Sequence, residues 1–144
     1  MLADLFSSAS DLGPLVLRIA LATIFLVHGR PKLDPNSPMK GVAGVTGFFS
    51  QLGIPLPAFF AWVVSLLETV GAVLLILGLG TRILGILFAV EMLVAIWAKR
   101  SKWKLPFMAQ QATGWEFDFA LLAAAISLVF TGAGGLAIDR VVGL

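Results

Sequence analysis

The chain alternates between long apolar segments and short connections that are rich in glycine, proline or charge. The apolar segments extend over about residues 12–27, 58–79, 82–98 and 117–131. A helix needs roughly 20 mostly apolar residues to span a bilayer, whereas strands of a membrane barrel would show alternating polarity. Short connections make neighbouring helices antiparallel. The pattern therefore predicts an all-α membrane protein, with four transmembrane helices in an antiparallel bundle.

The connection between the first two spans contains a shorter apolar pattern. Gly29 and the prolines at 31, 35 and 38 are expected to end the first span at about residue 27, because neither residue type favours a continuing helix. Apolar residues then recur at spacings of three and four: Val42, Val45, Phe48, Phe49 and Leu52. This segment is too short to cross a membrane, so it predicts a short interfacial or re-entrant helix between spans one and two.

Composition restricts the chemistry that the chain can perform alone. Of its 144 residues, 59% are hydrophobic and 12% are charged, which is too little polar surface for a soluble domain of this size. With no cysteine and the single histidine His28, thiolate chemistry, iron–sulfur ligation and multi-histidine metal or haem sites are excluded. We expect no metal site and no nucleic-acid partner, and any redox role needs a borrowed cofactor.

Charge distribution predicts the orientation of the chain. The first eleven residues lack the basic region of a signal peptide, so the first span is expected to be retained. More basic residues follow spans one and three than lie on the other side: Arg30, Lys32, Lys40, Lys99, Arg100, Lys102 and Lys104 against Arg82 and Arg140. The positive-inside rule then places both termini outside, in a bacterial or archaeal cytoplasmic membrane. Contact with anionic lipids explains the basic residues without a specific ligand.

Arg18, Glu68 and Glu91 lie near the middle of predicted spans. A charge at the bilayer centre costs roughly 2.5–3.5 kcal/mol on insertion scales, so such residues are usually paired or functional. Counting the helical rise places all three near one plane, where one guanidinium would meet two carboxylates. One carboxyl is then expected to keep a proton near neutral pH, and His28 lies toward the cytoplasmic side of this predicted polar or ligand site.

Structural roles account for the same residues. A buried arginine–glutamate pair often fixes helix register, and Ser65 and Glu68 form one polar stripe that can join helices. His28 at a helix end is typical of a capping or interface residue. Glu116 and Asp118 begin the fourth predicted span, where they favourably oppose the helix dipole without needing another role.

Short motifs in a fixed order connect the chain to a known family. They are Arg18, His28-Gly-Arg-Pro-Lys32, Leu52-Gly-Ile-Pro-Leu-Pro57, Glu68-Thr-Val-Gly71, Thr81-Arg82 and Gly114-Trp-Glu116-Phe. Each motif is weak alone, but the ordered set resembles the DoxX family of small four-span membrane proteins. The resemblance covers nearly the whole chain, which we interpret as one domain over residues 1–144.

The resemblance implies a four-helix membrane bundle associated with respiratory or thiosulfate:quinone oxidoreductase systems. Some members of the family are described as oxidoreductase subunits. The family's recurrent polar positions correspond to Arg18, His28, Lys32, Glu68, Arg82 and Glu116. Glu91 has no counterpart among them, because that place in the third span is usually apolar.

We therefore predict an accessory membrane subunit of a quinone-linked oxidoreductase, with quinone as its candidate cofactor and Glu68 or Glu91 as proton donor. The chain shows no self-contained catalytic motif, so electrons would come from a soluble or membrane oxidoreductase partner. A carrier of a small hydrophobic molecule or lipid, and a non-catalytic membrane scaffold, are the alternatives. The lipid bilayer is an expected partner, and self-association into a homo-oligomer is left open.

Overall fold

A computed structural model describes residues 10–111 and 113–144, and this part of the chain is helical and contains no strand. Its helices, in chain order, are α1 (Leu12–Leu33), α2 (Gly41–Leu52), α3 (Pro57–Leu77), α4 (Thr81–Lys102), α5 (Glu116–Thr131) and α6 (Ile138–Val142). The predicted all-α class is confirmed. The expectation that no signal peptide is present depends on residues 1–9, which lie outside the described residues.

Within residues 10–111 and 113–144, three helices are long and apolar enough to cross a membrane. They are α1 with 22 residues, α3 with 21 and α4 with 22. Helix α5 has 16 residues, which at the α-helical rise gives about 24 Å, less than the roughly 30 Å of a bilayer's hydrocarbon core. The structure therefore supports a membrane protein with three span-like helices, and a crossing by α5 stays a prediction.

The helix boundaries differ from the predicted ones mainly in α1. This helix continues through Pro31 to Leu33 instead of ending at about residue 27. A proline in a helix removes a backbone hydrogen bond, but here the adjoining Gly29 is buried against α3, so tertiary packing holds the helix together. Helix α4 similarly continues beyond residue 98, through a π-helical turn over Ala98–Lys102.

Helix α2 occupies the connection in which the apolar pattern predicted a short helix. It begins after Lys40, which has a left-handed backbone with φ of 57°, and it buries Val45 and Leu52. It packs mainly on the first part of α3. Its 12 residues are about 18 Å long, so α2 cannot cross a bilayer, and its position at the membrane surface stays a prediction.

The core lies between α1, α3, α4 and α5. The rings of Phe25 and Phe88 stack with centroids 4.0 Å apart, joining α1 to α4. Gly85 of α4 lets α5 approach closely, since a Cβ there would stand 3.0 Å from the carbonyl oxygen of Ala125. The buried apolar residues of this core are Leu21, Ala22, Phe25, Ala72, Leu75, Leu84, Phe88, Ala89, Met92, Leu121, Leu122, Ala125 and Leu128.

Large apolar side chains also cover the outward faces of the helices. Val16, Ile83, Val90 and Phe130 are each more than half exposed. A soluble protein rarely exposes so continuous an apolar surface, and a lipid environment covers it without cost. The outward faces therefore agree with membrane insertion of the span-like helices.

The two ends of the molecule differ in their number of basic residues. The lysine-rich end contains the last turns of α1 and α4 and the first turns of α3 and α5. The opposite end contains the starts of α1 and α4, the ends of α3 and α5, and α6. This arrangement follows from the antiparallel contacts of α1 with α3 and of α4 with α5.

Candidate functional site

Glu68 lies in a π-helical segment, Leu67–Gly71, in the middle of α3. Such segments add one residue to a helical turn and are frequent at functional sites. Gly29 of α1 packs directly against this segment, because a Cβ at Gly29 would stand only 2.5 Å from the Cβ of Glu68. Glu68 itself is 3% exposed. The close approach of α1 thus buries this carboxyl group deep beside the backbone of its neighbour.

Lys32, in the last turn of α1, supplies the positive charge beside Glu68. Its Nζ lies 2.5 Å from Oε1 of Glu68, and the two side chains are 15% and 4% exposed. An ammonium donating to a carboxylate at such a distance makes a charge-assisted hydrogen bond, which is stronger than a neutral one. The lysine therefore compensates one carboxylate of the site.

Glu91 of α4 completes the cluster. Its carboxyl group lies within hydrogen-bonding range of the Glu68 carboxyl, and Lys32 is the nearby cation. The Oε2 atoms of Glu68 and Glu91 are both buried and receive no hydrogen bond in the described part of the chain. Two carboxyl groups can approach in this way when a proton lies between them. We name Lys32, Glu68 and Glu91 the carboxyl–lysine cluster.

Glu91 also lies at the edge of an apolar outward face. Leu87 and Val94, one turn on either side of it, are 44% and 42% exposed. Phe88, on the adjoining side of α4, is fully buried. The cluster therefore lies where the core of the protein meets the surface that faces lipid.

Arg18 does not belong to this cluster. Its buried guanidinium donates to the carbonyl oxygens of three residues at the opposite end: Leu75 at 3.3 Å, Ile76 at 3.2 Å and Leu136 at 2.6 Å. Gly29, which is level with Glu68, lies about 16 Å farther along α1. The predicted contact between Arg18 and Glu68 was wrong. The position of Arg18 in the membrane was counted back from residue 27 as the end of the first span, whereas α1 ends at Leu33.

His28 lies one turn before Lys32 on α1, outside the contacts of the cluster. Its Nδ1 donates to the carbonyl oxygen of Ile24 at 2.8 Å, because a carbonyl oxygen can only accept. The imidazole centroid lies 6.2 Å from the ring of Phe117. The structure therefore places His28 on an exposed surface near the lysine-rich end, next to the cluster in sequence.

Glu116 and Asp118 lie apart from the cluster, in the first turn of α5. Asp118 pairs with Lys99, whose Nζ is 2.6 Å from Oδ2 and also donates to the carbonyl oxygen of Gly114 at 3.1 Å. The Oε2 of Glu116 is buried and has no partner in the described residues. This second pair joins the end of α4 to the start of α5.

Arg82 lies at the opposite end, at the start of α4. Its Nη1 donates to the last carbonyl oxygens of α5, those of Val129 at 2.5 Å and Phe130 at 3.0 Å. A cation at a helix C-terminus is favourable because the carbonyl groups there carry partial negative charge. This contact is structural and lies far from Glu68.

Sequence reasoning missed Asp139. Its carboxylate accepts the backbone N–H groups of Gly80 at 2.6 Å and Thr81 at 2.9 Å, which begin α4. Its own N–H donates to the carbonyl oxygen of Gly78, and Asp139 is the acidic group whose charge acts on Arg18. A capping residue is usually sought just before its helix, so an aspartate 58 residues later in the chain gives no local signal.

The carboxyl–lysine cluster contains the groups that proton exchange requires, two carboxyl groups beside an ammonium group. In residues 10–111 and 113–144, no three histidine, cysteine, aspartate or glutamate side chains come together as metal ligands. Glu68 and Glu91 instead share their surroundings with an ammonium group. Such an arrangement can hold one proton, release it and take it up again.

Comparison with known proteins gives the family of the chain. The DoxX family profile matches residues 13–101. The Bacillus subtilis protein named "Putative oxidoreductase CatD" is 40% identical over 129 residues, which cover 90% of this chain and 86% of that protein. The Escherichia coli protein named "Inner membrane protein YphA" is 30% identical over 141 residues, which cover 94% of each chain.

A third relative and the solved structures complete the comparison. A Haemophilus influenzae protein named "Uncharacterized protein" is 32% identical over 124 residues, which cover 86% of each chain. No solved structure matches the chain. The resemblance drawn from the ordered motifs is confirmed by the family match and by the relatives over most of their length, and the chain belongs to the DoxX family.

Proposed function

We propose that the protein is an accessory membrane subunit of a quinone-linked oxidoreductase, in which the carboxyl–lysine cluster exchanges a proton beside an apolar quinone. One observation carries the proposal: Glu68 and Glu91 lie carboxyl to carboxyl beside the single cation Lys32. One ammonium balances one carboxylate, so the second carboxyl keeps a proton in this buried site. The cluster is then a proton donor within the membrane protein.

The chemistry of quinones requires such a donor. Reduction of a quinone to a quinol consumes electrons and protons together, and the electrons are assigned to an oxidoreductase partner because this chain has no cysteine or multi-histidine site. The reduction takes up two electrons and two protons, so the cluster supplies one proton at a time and is recharged between them from the lysine-rich end, where Lys32 and His28 lie. The relative whose name includes "oxidoreductase" supports this general class.

Access from lipid favours an apolar ligand. Glu91 lies at the border between the buried and outward faces of α4, next to the exposed side chains of Leu87 and Val94. A quinone dissolved in the bilayer can approach this border sideways without crossing water. A polar substrate would have to leave water and enter an apolar surface, at a cost that nothing at this border offsets.

The proposal includes a membrane arrangement. Helix α5 is the fourth span, tilted little because it is short, and α2 lies along the membrane interface. The lysine-rich end faces the cytoplasm and both termini face outside, following the positive-inside rule. The relative named as an inner membrane protein supports a bacterial cytoplasmic membrane.

A binding experiment tests the function. The purified chain in lipid nanodiscs is titrated with a short-chain quinone, and binding is followed by quenching of the fluorescence of its four tryptophans. Glu91→Gln and Glu68→Gln are expected to weaken binding by about tenfold, which is the loss of one hydrogen bond to a charged or proton-donating group. Asp34→Asn, an exposed change at the same end, is the matched control.

The outcomes separate the alternatives. Binding of quinone that is unchanged in both glutamate variants would remove the cluster from the proposal. No binding of quinone, together with proton-coupled uptake of a hydrophobic molecule into proteoliposomes, would favour the carrier. Absence of both activities would leave the scaffold.

A further inference from the structure

A cavity at the opposite end has no part in the proposed proton exchange. It has a volume of about 460 Å³. It lies between the start of α4, the end of α5 and the C-terminal segment, which comprises residues 132–144. Its lining includes Thr81, Arg82, Ile83, Gly132, Asp139 and Arg140. It therefore lies at helix ends, where a membrane protein meets lipid headgroups, and on the other side of the molecule from the cluster.

The charged groups on this cavity that still have unused hydrogen-bonding atoms are cations. Asp139 also lines it, but its two carboxylate oxygens are occupied by the N–H groups that begin α4. Arg82 uses Nη1 for the carbonyl groups of α5, and its Nε and Nη2 have no partner in the described residues. Arg140 has a long, exposed contact of 3.9 Å with Asp11, and such pairs contribute little. Two guanidinium groups therefore remain available to an anion.

A buried hydroxyl group gives a second, independent indication. Thr81 lines the cavity and is 0% exposed, and its Oγ1 has no hydrogen-bond partner in the described part of the chain. Buried polar groups are nearly always paired, so an unpaired one beside a cavity points to a missing polar ligand. A hydroxyl group can donate a hydrogen bond to an oxyanion, as the arginines can.

The cavity has an apolar rim. Ile83 and Leu144 line it and are 65% and 76% exposed, and Phe130, at the neighbouring end of α5, is 77% exposed. These side chains continue the outward apolar faces of α4 and α5. A ligand that fills the whole cavity thus needs an anionic head for the arginines and an apolar part for the rim.

We propose that this cavity binds a phosphate group, supplied by the headgroup of an anionic phospholipid. Arg82 and Arg140 hold the phosphate oxygens, since guanidinium groups match phosphate geometry, and Ile83 and Leu144 contact the acyl chains. Free phosphate shares the headgroup chemistry but lacks the apolar part.

Native mass spectrometry of the delipidated protein tests the site. The probes are phosphatidylglycerol, diacylglycerol, which has the same chains without phosphate, and inorganic phosphate. Arg140→Gln and Arg82→Gln are each expected to weaken phosphatidylglycerol binding about tenfold. Arg100→Gln removes the same charge at the lysine-rich end, where Arg100 lies over the ring of Trp115, and it should change binding less than about threefold.

Each result decides the proposal. Tight phosphatidylglycerol binding that inorganic phosphate does not displace, lost in the Arg140 variant but kept in the Arg100 variant, supports a lipid site. Displacement by inorganic phosphate assigns the site to the free anion. Equal binding of diacylglycerol, or equal losses in the Arg100 and Arg140 variants, overturns the proposal. Arg140 does not contact the end of α5, so its variant remains informative if Arg82→Gln fails to fold.

Discussion

The two ends of the molecule bury charged side chains in different ways. At the end that contains α6, the guanidinium of Arg18 donates hydrogen bonds to three carbonyl oxygens. The nearby carboxylate of Asp139 provides a negative charge and also caps the start of α4. In the carboxyl–lysine cluster, one lysine faces two carboxyl groups, and two buried oxygen atoms lack donors among the described residues. The first site has one cation near one anion, although the Nε of Arg18 has no partner in the described residues, whereas the second has more carboxyl groups than cations.

The difference separates structure from chemistry. A balanced buried charge has nothing to gain from a proton or a ligand, so Arg18 joins α1, α3 and the C-terminal segment. We propose that the pair of carboxyl groups beside Lys32 holds a proton that can leave again. The comparison shows that Arg18 joins helices, and it supports the proposal that Glu68 and Glu91 exchange a proton. Substitutions at both ends test this difference.

The largest expected effect is the loss of the balanced site. Arg18→Met should lower the free energy of unfolding by about 3–5 kcal/mol, because it leaves Asp139 and three carbonyl groups without their cation. Thermal unfolding in detergent measures this change. Arg30→Met, an exposed change on the same helix, should have little effect. A stable Arg18→Met protein would show that this end does not depend on the buried charge.

A smaller loss is expected where α1 meets the cluster. Gly29→Ala should destabilise by about 1–3 kcal/mol, because the new Cβ would stand 2.5 Å from the Cβ of Glu68 and must push α1 away. The same change should weaken quinone binding by moving Lys32. Gly47→Ala in α2, where a Cβ meets nothing within 4 Å, is the control. Equal stability of the two variants would contradict the close contact.

The proposed proton of the carboxyl–lysine cluster can be detected by infrared spectroscopy. Infrared spectroscopy of the folded protein should show the C=O stretch of one protonated carboxyl group at neutral pH, absent in Glu91→Gln. Lys32→Met should increase this band, because the second carboxyl then loses its cation, at a cost of about 1–3 kcal/mol in unfolding free energy. A wild-type spectrum without the band would show that both carboxyl groups are ionised and remove the proton donor.

The smallest effect is expected at the second ion pair of the lysine-rich end. Lys99→Met should cost about 1 kcal/mol, because Asp118 is more exposed than Glu68 and lies in the first turn of α5, where the helix dipole still stabilises its carboxylate. Quinone binding should not change, because the pair does not contact the cluster. Weaker binding in Lys99→Met would extend the site to α5. Chemical denaturation and quinone titration of the same sample measure both.

The sequence predicted some parts of the site and missed others for definite reasons. The approach of Glu68 and Glu91 followed from their equal depth in neighbouring antiparallel helices. The cation was assigned wrongly, because a proline in the last turn of α1 was expected to end the helix. Because α1 continues to Leu33, Lys32 contacts Glu68 and Arg18 lies level with Leu75. Asp139 had no local signal, since its contacts are with a helix that begins 58 residues earlier.

Hydrophobic patterning alone determined the membrane class, the helical content and the short helix between the first two spans, because each depends on the local sequence of a segment. Motif order determined the family. Tertiary structure decided which charges meet, because pairing depends on how far each helix continues and which face it turns to its neighbours. Gly29 shows the reason: the missing Cβ weakens its own helix, yet it allows α1 to approach α3 closely, and Lys32 then contacts Glu68.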